Sequence, residues 1–500
     1  MNARTICFGL AVALASMARV AVAQPEVEWE RTYGGNSADE LRCLLKTSDG
    51  GFLLGGSTEI GNNDTDIWLV KTDSEGTPIW DKTYGYNNLD KCRALYENED
   101  STLIVASSVS LPGRYTDFGI MKMTPEGDTL WTCYFGGFEQ EWPFRILKTP
   151  DHGYLILGFT LSFGNGSLDA WLLKINENGD SLWSRTYGGY GPDSGHDILA
   201  VDDQNYLIVG KSQVPNRGEQ IYLVKINSIG DVIWEKYYGN TGNDSGTKII
   251  MNRDGNLSIL GTAQAIGNEP FYDMLYLELS SDGDSLWSST YGTRGQDYGM
   301  SHIQLADHGF VLLGYSTTYE IGRYELFVVR IDRMGETIWS GNFGRNPQRY
   351  CSGIEIIYED IPDYFDVNLV IAGTCFPQQD GNRDYFLLKT TPDPVSVRES
   401  QVVAPFALHL AQPYPNPFNS TVTIPFSFSP INRGATGVVR MAIFDPLGRQ
   451  VADFSPRLPQ LIAANRHSLT WNASGMPAGQ YIVRLEAGNQ QLSQRLSLVK

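Results

Sequence analysis

Seven tryptophans recur at a near-constant interval, Trp29, Trp80, Trp131, Trp183, Trp234, Trp287 and Trp339, separated by 51, 51, 52, 51, 53 and 52 residues. A fixed period of this size means one supersecondary unit copied seven times, each copy burying its apolar faces against its neighbours. Every Trp opens a strand-like phrase that ends in an aromatic residue and Gly, as in WERTYGG from Trp29, WDKTYGY from Trp80 and WSRTYGG from Trp183. An apolar run follows, such as GGFLLGGS from Gly50, then a polar loop, then a run such as DIWLVKTD from Asp66. Short β-rich runs bounded by Gly, Asn and Asp, four to a unit and without a 3.6-residue apolar period, describe a four-stranded antiparallel blade. The expected fold is all-β: a seven-bladed β-propeller, one of the few ways to hold several hundred residues in one body. The seventh apolar run, Asp384 to Lys389, has no Trp strand after it, whereas Trp29 to Tyr33 has no blade before it. The N-terminal strand is therefore expected to complete the last blade and so remove the ring's open sheet edges.

A glycine stands four residues before each of the last six tryptophans, at Gly76, Gly127, Gly179, Gly230, Gly283 and Gly335, marking a tight turn into the Trp strand. These D-x-x-G-x-x-x-W turns resemble the Asp-box turns of secreted bacterial propellers, with a glycine-to-Trp spacing one residue longer. An Asp in such a turn accepts bonds from backbone amides, a structural role. The strict period of the Trp and Tyr residues places them between blades rather than on a carbohydrate-stacking platform.

The chain ends differ from the repeat. Arg4, the apolar stretch Ile6 to Ala18 and Ala21-Val22-Ala23 read as a secretory signal over residues 1–23, too short and interrupted for a transmembrane segment. Residues 24–391 form the propeller, 392–407 a linker, and 408–500 a second domain. The formal net charge is −19, yet residues 401–500 carry eight Lys plus Arg against three Asp plus Glu. With Arg4 and Arg19 also set aside, −26 falls on residues 24–400, a body that repels nucleic acid and attracts cations or basic partners. No C-x-x-C pair occurs among the cysteines, which excludes the usual zinc and thioredoxin-like motifs.

The last ninety or so residues alternate in strand fashion, with MAIFD from Met441, LTWNAS from Leu469 and GQYIVRLE from Gly479. Their size fits a small immunoglobulin-like β-sandwich. Pro415, Asn416, Pro417, Phe418 and Asn419, then Asp445 to Gly448, Trp471, and the GMPAGQYIVRL run holding Gly479 follow in a specific order. Together they closely resemble the type A C-terminal sorting domain of the bacterial type IX secretion system. The resemblance implies handling by the type IX secretion machinery and delivery to the outer-membrane surface or the exterior, so that molecular activity resides in the propeller.

Ten residues after each Trp stands an acid, Asp39, Asp90, Glu141, Asp193, Asp244 and Asp297, with Arg349 in the seventh unit. Two readings stay open for these six. Each carboxylate caps its loop by accepting backbone N–H bonds, or several converge near the channel as a ligand face for Ca²⁺ or a cationic group. A second set, Asp66, Asp117, Asp169, Asp273, Glu325 and Asp384, opens the third strand and reads as a solvated strand entry. His152 and His308 occupy D-H-G turns, and His196 and His302 are isolated inner-strand histidines. Cys43, Cys92 and Cys351 fall in inner strands of adjoining units, where a disulfide between two of them is conceivable. No nucleophile or acid–base motif breaks the repeat. The expected role is a non-catalytic binding or scaffolding module for a glycan, a surface protein or a cation. The alternative is a polysaccharide-acting hydrolase or lyase on the same fold, which requires a pocket with two carboxylates about 5–10 Å apart.

Overall fold

The computed structural model describes residues 24–499 apart from 62–63, 86–87, 266–270, 294, 319–322, 344–349, 361–366, 377–381, 394–405, 411–412, 431–439, 445–448, 455–466 and 488–489. The signal segment, most of the linker, Arg349, Asp445 and Gly448 lie outside the described residues.

The repeat folds as seven four-stranded antiparallel sheets. Blade 1 runs through Asp39–Lys46, Phe52–Gly61, Asp64–Thr72 and Pro78–Tyr84, from its inner to its outer strand. The inner strands of blades 2 to 7 are Lys91–Glu97, Glu141–Lys148, Asp193–Asp202, Asp244–Met251, Gln296–Gln304 and Tyr350–Asp360. Blade 7 takes its outer strand from the other end of the propeller: Val27–Tyr33 pairs antiparallel with Asp384–Thr390. The expected closure is present. A hydrophobic cluster fills each junction, from Leu41, Phe52 and Leu54 against Tyr385 and Leu387 at the seam, round to Leu313 and Val328 against Leu369 and Phe386. The other five junctions are built alike. Fully burying one Leu or Ile stabilises by roughly 1.5–3 kcal/mol, so the junctions supply far more than the backbone bonds of one closing strand.

The period is explained at the rim. Each turn glycine has a left-handed backbone, φ +83° at Gly127 for instance, and a Cβ there would stand 3.0 Å from the Trp80 ring of the preceding blade. Four residues along, the Tyr84 hydroxyl donates to the Gly127 carbonyl at 2.6 Å, and Trp80 Nε1 donates to the Pro125 carbonyl at 3.2 Å. Tyr33, Tyr187, Tyr238 and Tyr291 make the same bond to Gly76, Gly230, Gly283 and Gly335. Trp and Tyr thus clamp the next blade's turn. The turn's first residue accepts backbone amides as expected: Asp73 Oδ1 receives Glu75 N at 2.9 Å and Thr77 N at 2.8 Å, and Asn176, Asn227 and Asp332 do likewise. His152 and His308 sit at φ +63° and +65° in their turns.

The C-terminal module is a second β body. A three-stranded sheet, Phe406–Leu410, Thr421–Pro430 and His467–Asn472, and a four-stranded sheet, Arg440–Phe444, Gln450–Asp453, Gly479–Ala487 and Gln490–Leu498, share one core around Val422, Ile424, Met441, Trp471, Val483 and Leu496.

Candidate functional site

All six aligned acids lie at or beside the start of an inner strand, and none is more than 2% exposed. Each holds the loop before or beside it. Glu141 Oε2 accepts Gly137 N at 3.0 Å while Oε1 accepts the Thr160 hydroxyl at 2.8 Å. Asp193 accepts Gly189 N at 2.6 Å, Asp244 accepts Asn240 N at 2.7 Å, and Asp297 accepts Thr293 N at 2.6 Å. Asp90 accepts Ser110 N at 2.7 Å, and the Asp39 carboxylate faces Gly35 N and Thr58 with its Oδ1 buried and unpartnered. Geometry thus favours loop capping over an open ligand face. Among the described residues no three His, Cys, Asp or Glu side chains approach closely enough to hold a metal.

The second acid set is more deeply placed than a solvated strand entry. Asp117 and Asp169 are buried, and Asp117 approaches the first set across a shared glycine. A Cβ on Gly136 would fall 2.3 Å from Asp117 Oδ1 and 2.6 Å from Glu141 Oε2. Gly34 separates Asp384 from Asp39, and Gly292 separates Asp273 from Asp297, in the same way. Burial raises the pKa of Asp39 to about 6, with Asp384 adding to it. Burial likewise raises Asp117, Asp193 and Asp273, each with its paired acid contributing. In blade 4 the partner position is Gln220, a carboxamide opposite Asp244. In blade 7 strand register gives the Asp39 position to Cys351 rather than Arg349, since Cys351 pairs with Cys375 as Asp39 pairs with Thr58.

Sequence reading missed the ring at the axis. In each inner strand the pairing with its neighbour slips by one residue at the same place, leaving Arg42, Arg93, Phe144, His196, Thr247, Met300 and Ile354 as bulged residues. A bulge re-aims a side chain out of the ladder, and here the residues share no chemistry from blade to blade. The next residue on five of these strands contributes to a charged cluster that spans the ring. Arg145 Nε reaches Asp197 Oδ1 at 2.8 Å, Arg145 Nη1 reaches Glu355 Oε2 at 3.4 Å, and Lys248 Nζ reaches Glu355 Oε1 at 3.4 Å. Ser301 Oγ donates to Glu355 as well. Residues of blades 3 to 7 can meet only at the axis, so this cluster spans the channel at that depth. Burial opposes ionisation of Glu355, but the Lys248 and Arg145 charges hold its pKa below the usual range.

Nearer the end where the acid loops lie, the wall is polar and basic. His196 Nδ1 donates to the Gly246 carbonyl at 2.8 Å, which leaves Nε2 to accept the Ser194 hydroxyl at 2.8 Å. Burial lowers the His196 pKa. Glu40 binds Arg42, Lys91 at 3.0 Å and Arg383 at 3.8 Å, and despite burial the Arg42 and Lys91 charges lower its pKa to about 2. Cys43 and Cys92 bring their sulfurs to 3.5 Å as free thiols, so the disulfide conceivable between these two is not formed. At the same end, loops expose Tyr115, Phe138, Phe163 and Tyr190, with Tyr190 93% and Phe138 82% accessible. Phe138 and Tyr190 each follow a glycine whose N–H is held by Glu141 or Asp193, so the buried acids position the exposed rings.

In the C-terminal module the Pro-Asn-Pro-Phe-Asn motif is stitched to the last strand. Asn416 donates to the Arg495 carbonyl and accepts Ser497 N, both at 2.8 Å; Phe418 N donates to the Ser497 carbonyl at 2.9 Å, and Val499 N to the Phe418 carbonyl at 2.8 Å. The Phe418 ring is buried against Trp471 at 5.7 Å, whereas Asn419 is exposed.

Among solved structures, the chain is similar to a protein of unknown function from Dyadobacter fermentans (8% identity, TM-score 0.40, covering 74% of this chain and 98% of that one). It is also similar to a fungal AA5-family alcohol oxidase in complex with copper (11%, 0.42, 96% and 100%) and to the polysaccharide lyase Uly1 (9%, 0.45, 73% and 99%). Likenesses this distant do not bear on activity. A search of curated proteins finds no match. Residues 412–499 match the secretion system C-terminal sorting domain family. The stitched motif and the family match agree, and the chain is a type IX secretion cargo, a propeller carrying a C-terminal sorting domain that directs it to the outer-membrane surface or the exterior.

Proposed function

We propose that the propeller is a non-catalytic binding module that takes an extracellular glycan at the channel end bearing the acid-capped loops. The observation that carries this reading is the group of exposed aromatic rings, Tyr115, Phe138, Phe163 and Tyr190, of which Phe138 and Tyr190 stand on loops fixed by buried carboxylates. Large rings kept in water beside a polar opening suit the apolar faces of sugars. The ion-paired carboxylates of the channel argue against hydrolysis. Glu40 and Glu355 are ion-paired and held ionised, whereas a glycosidase needs one carboxyl group with a raised pKa in reach of substrate. The acids whose pKa is raised instead, such as Asp39 and Asp117, are buried at blade junctions. The test incubates the full chain with a panel of soluble polysaccharides, following retention on affinity gels together with new reducing ends and unsaturated products. Retention without products, lost in Phe138→Ala/Tyr190→Ala, supports the reading; products from any glycan overturn it in favour of a hydrolase or lyase.

A further inference from the structure

Arg93 is the bulged residue of the blade 2 inner strand and is 9% exposed. Its guanidinium carbon lies 4.3 Å from the centre of the Trp142 ring. Its Nε is buried without a hydrogen-bond partner, and among the described residues no carboxylate forms an ion pair with it. This is an unusual condition for an arginine, whose five donors form a planar fork suited to carboxylate geometry. Burial and then the charge of Arg42 lower its pKa to about 10. Arg42 is the equivalent bulged residue of blade 1, and its own Nε is also buried and unpartnered, while its Nη2 is taken by Glu40. Two adjacent blades thus place like charges at the same level of a channel whose outer body is strongly acidic; the one carboxylate close to both, Glu40, is bound by Arg42 and shared with Lys91 and Arg383 and forms no ion pair with Arg93. Deeper in the channel the Arg145–Glu355 cluster shows how this chain neutralises a buried guanidinium when no ligand is involved: two carboxylates lie within 3.4 Å of it.

We propose that Arg93 and Arg42 form a receptor for one carboxylate group of a ligand that enters the channel mouth. Resting on the glycan-binding reading above, this makes the ligand an acidic saccharide, with its uronate carboxylate as the recognised group. A planar carboxylate can take parallel N–H bonds from the Arg93 fork and a further one from Arg42 Nε. The Trp142 ring holds the Arg93 plane in place, and Trp142 is itself fixed by donating from Nε1 to the Thr116 hydroxyl at 2.9 Å. No protein bond must break for the ligand to bind at Arg93.

The test is calorimetric titration of the full chain with glucuronate, oligogalacturonate, glucose and sulfate, in the wild type and in Arg93→Met and Arg93→Lys, with melting temperatures recorded for each. We expect oligogalacturonate to bind, glucose not to bind, and Arg93→Met to weaken uronate binding tenfold or more, with part of the loss restored in Arg93→Lys. We also expect Arg93→Met to melt no lower than the wild type without ligand, because it removes an uncompensated buried charge; a lower melting temperature together with unchanged binding would assign Arg93 a purely structural role and overturn the proposal. Sulfate binding as tightly as the uronates would overturn the carboxylate assignment. Neutral glycans binding equally to all three proteins would reject the receptor but leave glycan binding standing, whereas absence of binding by every probe would reject both.

Discussion

Asp39 offers a quantitative test of the blade-junction chemistry. Its carboxyl group is 2% exposed and faces Asp384 across Gly34. Burial, reinforced by Asp384, raises its pKa from 3.8 to about 6. A raised acid pKa means that the native state resists ionisation. The contribution to stability is therefore fully present below pH 3.8 and is lost as pH rises through 6. At about 1.36 kcal/mol per pK unit, the native state forfeits about 1 kcal/mol at pH 4.5 and about 3 kcal/mol at pH 7.5. Asp39→Asn keeps an oxygen to accept from Gly35 N and Thr58 but carries no charge. It should therefore be more stable than the wild type by up to about 3 kcal/mol at pH 7.5, with the gain shrinking by about 2 kcal/mol at pH 4.5. Urea unfolding of both proteins at the two pH values measures this. A variant less stable at pH 7.5, or a difference that does not change with pH, would refute the account of a disfavoured buried charge and leave Asp39 as an acceptor whose ionised form the loop prefers. Burial raises Asp117, Asp193, Asp244 and Asp273 by the same cause, so each contributes in the same direction as Asp39, whereas the buried His196 and His302, whose pKa values are lowered, act in the opposite direction.

Other expectations are independent of that one. Glu355→Gln removes a charge that Arg145 and Lys248 share at the axis and should destabilise by up to about 3 kcal/mol in denaturant unfolding, because Lys248 loses its carboxylate while Arg145 keeps Asp197. Tyr187→Phe deletes only the hydroxyl bond to the Gly230 carbonyl and should cost about 1 kcal/mol in the same assay. The Cys43 and Cys92 thiols, buried at the first junction, should stay unreactive toward a thiol reagent until the protein unfolds, and native-state labelling of either would contradict their placement. Asn416→Ala breaks both bonds that join the sorting motif to the last strand and should lower the fraction of the protein recovered at the cell surface, by immunoblot of fractionated cells.

Much of the architecture was legible because the same residues solve the same problem seven times. Trp80, Tyr84 and Gly127 must meet at one spacing for a blade to lock its neighbour, and any unit that drifted would lose the clamp. The strand that closes the ring could be inferred from a Trp phrase with no blade before it. Burial was not legible. A periodic Asp in a Gly-rich loop reads the same whether it faces water or caps a backbone from inside, and only the fold shows Asp193 buried with Gly189 N on it. The two extra residues in unit seven also misled the count, which placed Arg349 where strand register puts Cys351. The bulge ring left no periodic trace at all, since Arg42, Phe144, His196 and Met300 have only position in common.

That loss of period separates scaffold from site. Residues that hold one blade to the next are constrained by a geometry repeated around the ring, so they recur. Residues at the bulge contribute little to that geometry and are free to differ, so their asymmetry marks where selection acts on something other than folding. The chain places two unpartnered guanidinium edges in neighbouring blades at that level, and immediately beyond it spends two carboxylates, a lysine and a serine around a third guanidinium at the axis. A ligand entering from the acid-loop end therefore meets Arg42 and Arg93 before it meets the charged cluster. On the binding reading proposed above, the channel would work as a one-sided receptor, with exposed aromatic loops outside it and a neutralised cluster beneath, and its specificity would rest on the side chains that the repeat does not dictate.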